Sequence, residues 1–218
     1  YIHRLGAVVT FLYAAIHLVQ VGILFKEKKI TFKGLLTEEY SLIPLPRDFI
    51  ELKNNLLYFI GKGPKPLFGR WTYWEKFDYM AIFWGIIMIG ISGLILWFPE
   101  FATLILPGWA INIATIIHSD EALLAAGFIF TIHFFHTHMR PEKFPMDMVI
   151  FTQRVPLEEF KEERPREYNE LVEKGELDTL MVNPLPDWFI RSMKALGFVF
   201  LGSGILIVAS IIYALLSF

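Results

Sequence analysis

Ile116–Met139, IIHSDEALLAAGFIFTIHFFHTHM, is the stretch on which the reading of this 218-residue chain turns. From Ala122 to Phe135 it is an apolar run whose one ionisable residue is His133, with His118 on one side and His136 and His138 on the other. An ionisable group inside a membrane-length apolar segment is costly and needs a partner. Four of the six histidines fall here, and the other two, His3 and His17, lie on the first apolar segment.

The intervals between these histidines match. On an ideal α-helix the step from His3 to His17 brings the second imidazole within about 40° of the first, roughly 21 Å further along. The step from His118 to His133 gives an offset of about 60° and roughly 22 Å. Two helices therefore each present two imidazoles at corresponding heights, the arrangement needed to hold two porphyrins edge-on across a bilayer by axial histidines. We expect His3 and His118 to bind one haem iron and His17 and His133 the other.

Composition bounds the class. With 55% hydrophobic residues and 16% aromatics the chain reads as an all-α integral membrane protein. A net charge of −2 singles out no partner and gives no footprint for nucleic acid. The absence of cysteine excludes disulfides, thiolate-held iron–sulfur clusters and covalently attached haem within the chain, so any haem is held by coordination and packing alone. Because Tyr1 already lies in an apolar helix that does not read as a cleavable signal peptide, we expect further sequence upstream.

Hydropathy predicts a four-helix transmembrane bundle with spans at about 2–25, 79–98, 112–139 and 188–218, and long loops at 26–76 and 140–187. Gly6, Ala7, Ala14 and Ala15 give the first span small surfaces suited either to a flat macrocycle or to ordinary helix packing. In the first loop, Asp48 and Glu51 have capping-box spacing and open a short helix, FIELKNNLLYFI, that stops at Gly61. It reads as a helix lying on the membrane surface or docking a partner subunit. Trp74 and Trp97 flank the second span as interfacial aromatics, and PEFATLILPGW links it to the third. Asp120 and Glu121 are expected in the early turns of the third span, favoured there by the helix dipole, with proton transfer as the other reading. RPEKFPMD breaks that helix, and Pro165–Lys174 is expected to be a short solvated helix ended by Gly175.

Basic residues set the orientation. Residues 26–76 carry ten of the twenty, residues 140–194 carry nine, and the link between the second and third spans has none. Both long loops are therefore expected in the cytoplasm of a bacterium-like cell, the chain being a multi-pass protein of the cytoplasmic (inner) membrane in contact with its lipid. Spans one and three then run parallel, with His3 and His118 near the outer surface.

The residues resemble a known family. IHRLGAVV followed by His17, GRWTYWEKFDY leading into ISGLILWFPE, and IIHSDEALLAAGFIFTIHFFHTHMRPEKF are similar to the cytochrome b subunits that anchor respiratory formate dehydrogenases and nickel–iron hydrogenases. The resemblance covers Tyr1 to about Asp147. It implies two b-type haems, quinone-linked electron transfer with menaquinone or ubiquinone, and a redox partner on the outer face, either a multihaem cytochrome c or an iron–sulfur dehydrogenase subunit. Members usually have one membrane helix more, before the helix that begins here at Tyr1. The family's quinone site falls at GRWTYWEK, which makes Arg70, Tyr73, Glu75 and Lys76 candidates, although Thr72 and Trp74 stand where some relatives carry small or amide residues.

Other readings stand beside these. Arg70 and Lys76 can anchor a helix end at lipid headgroups, and Glu75 can relay protons at a membrane boundary. His136 is the alternative ligand to His133, but on a straight helix it lies roughly 27 Å from His118, a poor match to the partner helix. His136 and His138 are otherwise interfacial groups for haem propionates, a quinone headgroup, protons or water. A membrane non-haem metalloenzyme built on HFFHTH and a cofactor-free anchor subunit are the alternatives to the haem reading.

Overall fold

The computed structural model describes residues 1–37 and 41–217. Among them every regular element is helical, and four helices are long and apolar enough to cross a bilayer. In chain order the elements are α1 (Ile2–Lys26), α2 (Phe32–Thr37), α3 (Pro46–Phe59), α4 (Tyr73–Trp97), α5 (Pro99–Ile105), α6 (Trp109–Phe128), α7 (Val149–Thr152), α8 (Leu157–Glu163), α9 (Pro165–Lys174), α10 (Leu177–Leu180) and α11 (Asp187–Ser217). Two π-helical turns, Ile129–His133 and Phe135–Met139, prolong α6 to Met139, so the spanning helices are α1, α4, the extended α6 and α11. The chain is thus an all-α membrane protein. It forms two units, Tyr1–Leu123 and Leu124–Phe218.

In the first unit α1 and α4 run antiparallel, as a ladder of contacts shows. Arg4 lies over the Trp97 ring, Phe11 lies where a side chain on Gly90 would be, and His17 meets Tyr79 and Phe83. The first half of α6 returns antiparallel to α4, with His118 against Ser92 and Glu121 against Trp84. The first half of α6 is therefore co-directional with α1. In the second unit α11 lies against the end of the third span and the segment after it: Phe134 occupies the space beside Gly204, and Pro145 and Met146 crowd Gly197.

Several local expectations change. The second span begins at Tyr73 rather than residue 79, because its charged first turns are neutralised by neighbours. Thr72 caps the helix, its N–H and hydroxyl both donating to the Glu75 carboxylate at 2.8 and 2.7 Å. Lys76 is 1% exposed and donates to Asp48 at 2.8 Å. Asp48 and Glu51 do not form the capping box expected of them: α3 starts a turn earlier, with Leu45 at the cap and Asp48 at the third helical position accepting the Leu45 N–H. Gly61, with φ of +70°, follows the end of α3, and Gly175, with φ of +68°, caps α9 at the expected place. The link after the second span holds a helix of its own, α5.

α3 has inverted polarity. Asp48, Glu51 and Asn55 are its buried residues, whereas Phe49, Leu56 and Ile60 are exposed. Asn55 donates to the Tyr73 hydroxyl at 2.9 Å, so together with the Asp48–Lys76 pair it fixes the polar side of α3 to the first turn of a spanning helix.

The third span begins at Trp109, three residues before the expected start. Asp120 and Glu121 consequently lie more than three turns inside it, beyond the reach of the helix dipole, which fades within the first turn. Glu121 instead accepts the Trp84 indole N–H at 3.2 Å, and Trp84 is at the middle of α4. That places the carboxylate at membrane depth, with a specific partner.

Candidate functional site

His3 and His118 meet in the first unit. Their ring centroids are 5.8 Å apart and their planes are inclined by 88°. A metal ion bonded at about 2 Å to one nitrogen of each of two imidazoles sets the ring centres about 6 Å apart. The separation is compatible with the two imidazoles sharing a metal ion and equally with a direct edge-to-face ring contact.

The nitrogen that His118 would use follows from its neighbours. Its Nδ1 lies 3.0 Å from the Ile89 carbonyl and 3.2 Å from Ser92 Oγ. A carbonyl can only accept, so Nδ1 carries the proton and the Nε2 of the neutral ring holds the lone pair. Metal-ligating histidines show this pattern, one nitrogen donating to a backbone carbonyl while the other coordinates. Ser92 is buried at 3% exposure and turns its own hydroxyl to the Met88 carbonyl at 2.6 Å, which leaves oxygen lone pairs for His118. Beside it, a Cβ on Gly93 would lie 2.9 Å from His118 Cε1. Ser92 and Gly93 were not singled out from the sequence, where SG in an aliphatic span reads as ordinary small-residue packing.

His17, in the first unit, is hydrogen-bonded through Nε2 to the Tyr79 hydroxyl at 2.9 Å. To ligate through Nε2 it must give up Tyr79, so it is not prearranged as His118 is. His133, in the second unit, is exposed and ends the first π turn. These turns bond from residue i to i+5, as in Phe134 N–H to Ile129 O and Arg140 N–H to Phe135 O. They change both rise and azimuth relative to an α-helix. The straight-helix distance that set His133 above His136 thus ceases to apply at Phe128, and spacing no longer separates them. π turns inside α-helices occur frequently at functional sites.

The quinone candidates differ in their surroundings. Tyr73 accepts from Asn55, Glu75 caps α4, and Lys76 is buried against Asp48, which removes it from the lipid headgroups. Arg70 is exposed, its guanidinium 5.2 Å from the centre of the Trp71 ring. His138 Nδ1 donates to the Pro145 carbonyl at 2.9 Å, so its Nε2 is an acceptor, and its ring lies 4.7 Å from that of Phe134.

Beyond the third span, Arg140 and Lys143 converge on Glu163 at 2.6 and 3.2 Å, and Lys143 also reaches Glu159 and, at 3.5 Å, Asp147. Burial works against the charge on Lys143, but the surrounding carboxylates prevail and raise its pKa above the usual lysine value. Burial alone would raise the pKa of Glu163, yet Lys143 and Arg140 hold it below the usual carboxylate value. This network fastens α8 to the end of the span.

Among the described residues no group of three or more His, Cys, Asp or Glu side chains is placed to hold a metal ion. No protein-family model matches the chain, and neither a curated protein nor a solved structure matches it.

Proposed function

We propose that the chain is a membrane cytochrome b subunit that carries electrons between a membrane quinone and a redox partner on the outer face of the cytoplasmic membrane. The observation that carries this reading is the His3–His118 pair, two imidazoles from co-directional helices at ligand spacing, with the His118 tautomer fixed for coordination through Nε2. A bound haem would supply the one-electron ferric–ferrous couple. The chain's own part is to present the axial nitrogens, keep water from the span interior and set ring orientation through neighbours such as Ser92.

A second haem is expected from the resemblance alone, with His17, His133 and, as the alternative, His136 as its candidate ligands; ligation through His17 Nε2 requires that ring to give up the Tyr79 hydroxyl. We assign the quinone headgroup to the end of the third span, where His138 Nε2 can accept a hydrogen bond from a quinol hydroxyl. The resemblance read from the sequence supports this reading, and the histidine geometry stands without it.

The test is a reduced-minus-oxidised absorption spectrum with a haem-to-protein ratio on the complex purified from its native membrane. Two b haems are expected, with His118→Ala removing one of them. A pigment-free preparation of the intact complex refutes the proposal.

A further inference from the structure

We infer that Ser92 and Gly93 of α4 are positioning residues for His118, that they select the nitrogen it offers and the plane of its ring, and that Ser92 thereby tunes the reduction potential of the haem held by His3 and His118. The inference rests on the haem reading above.

The argument begins with a helix carbonyl. In an α-helix the Ile89 carbonyl already accepts the N–H of the residue four positions on, which is Gly93. A second donor can reach it only from the side of the helix, where the side chain of that same residue would stand. Gly93 has none, and His118 fills the space: an added Cβ would lie 2.9 Å from Cε1 and 3.4 Å from Nδ1. The ring atoms are rigid and cannot fold away, so even a methyl group must push the imidazole. The missing side chain thus opens the Ile89 carbonyl to His118 Nδ1 at 3.0 Å.

Ser92 supplies the other half. With its hydroxyl proton turned to Met88 O at 2.6 Å, its oxygen faces Nδ1 at 3.2 Å as an acceptor. Two acceptors on one N–H polarise the imidazole and increase electron donation from Nε2, which favours the ferric form. Removing the serine oxygen leaves only Ile89 O, so donation falls and the potential rises. An ordinary packing serine would have no such effect on a redox couple.

The experiment compares the wild-type complex with Ser92→Ala, Ser92→Thr and Gly93→Ala, using haem-to-protein ratio, a redox titration that resolves the haems, and electron paramagnetic resonance of the oxidised protein. Wild type is expected to show a strongly anisotropic low-spin ferric signal from imidazole planes near 88°. Ser92→Ala should keep its full haem content and raise one midpoint potential while the other stays put, and Ser92→Thr should restore it. Gly93→Ala should change that signal or lose that haem alone. A fully loaded Ser92→Ala protein with unshifted potentials, or one that loses all its haem at once, overturns the inference and leaves the haem reading intact. A wild-type complex without haem overturns the function itself.

Discussion

Lys76 is the residue whose replacement the structure predicts most sharply. Its ammonium is 1% exposed, 2.8 Å from Asp48, at the start of a membrane-spanning helix. Removing one partner of a buried ion pair leaves the other charge uncompensated and typically costs about 3–5 kcal/mol. Lys76→Met keeps the aliphatic stem and deletes the charge. Asp48 then keeps the Leu45 N–H, a neutral donor that cannot balance its charge. For a chain of this length about 1 kcal/mol corresponds to a 2–4 °C shift, so the midpoint should fall by about 6–20 °C. Asp48→Asn should cost a similar amount, and Lys76→Met with Asp48→Leu should recover much of the loss, because replacing both ions with apolar groups is often neutral. Thermal unfolding of the detergent-solubilised protein, followed by size-exclusion chromatography, reads all three. Equal midpoints for wild type and Lys76→Met would refute the buried pair.

Three further outcomes follow from other parts of the molecule. Gly204→Ala drives a methyl group into the Phe134 ring and should destabilise the second unit by about 1–3 kcal/mol; a variant as stable as wild type would contradict that packing. The apolar side of α3 should lie in lipid, a test made clean by the absence of cysteine: spin labels at single cysteines replacing Leu56 and Ile60 should be relaxed by oxygen, and one replacing exposed Asn54 by a water-soluble nickel complex. Water-like accessibility at all three positions would exclude it. Finally, Glu163 has a pKa below its ordinary 4.5, so its stabilising contribution is present above that pH and is lost as the pH falls through the lower folded value. The raised pKa of Lys143 gives the mirror case, with stabilisation present below 10.5 and lost above it. Hydrogen-exchange protection in residues 157–163, taken relative to the intrinsic rate at each pH, should hold between these limits and fall under acid, and protection already lost near neutral pH would show that the network does not hold α8.

The sequence by itself determined the class and the number of spans. Inside a bilayer every backbone amide must be bonded within its own helix, so about 20 apolar residues suffice to declare a span without knowledge of its neighbours. Gly175 was legible for the same reason, since a helix stop at a left-handed glycine is a local event. What only the tertiary structure decided depends on residues far apart in the chain. The second span extends back to Tyr73 because Asp48 neutralises Lys76 from 28 residues away, whereas hydropathy stops at the first charge. Glu121 looked like a residue of an early turn until Trp84 was found beside it. The wider turns around His133 and His136 follow from no propensity in FIFTIHFFHTHM, and ideal-helix arithmetic fails there. His118 was visible as a ligand candidate because histidine is rare in an apolar helix. Ser92 and Gly93 were not visible, because what they offer is a bare carbonyl and a space, and neither leaves a mark in the sequence until the helices are packed.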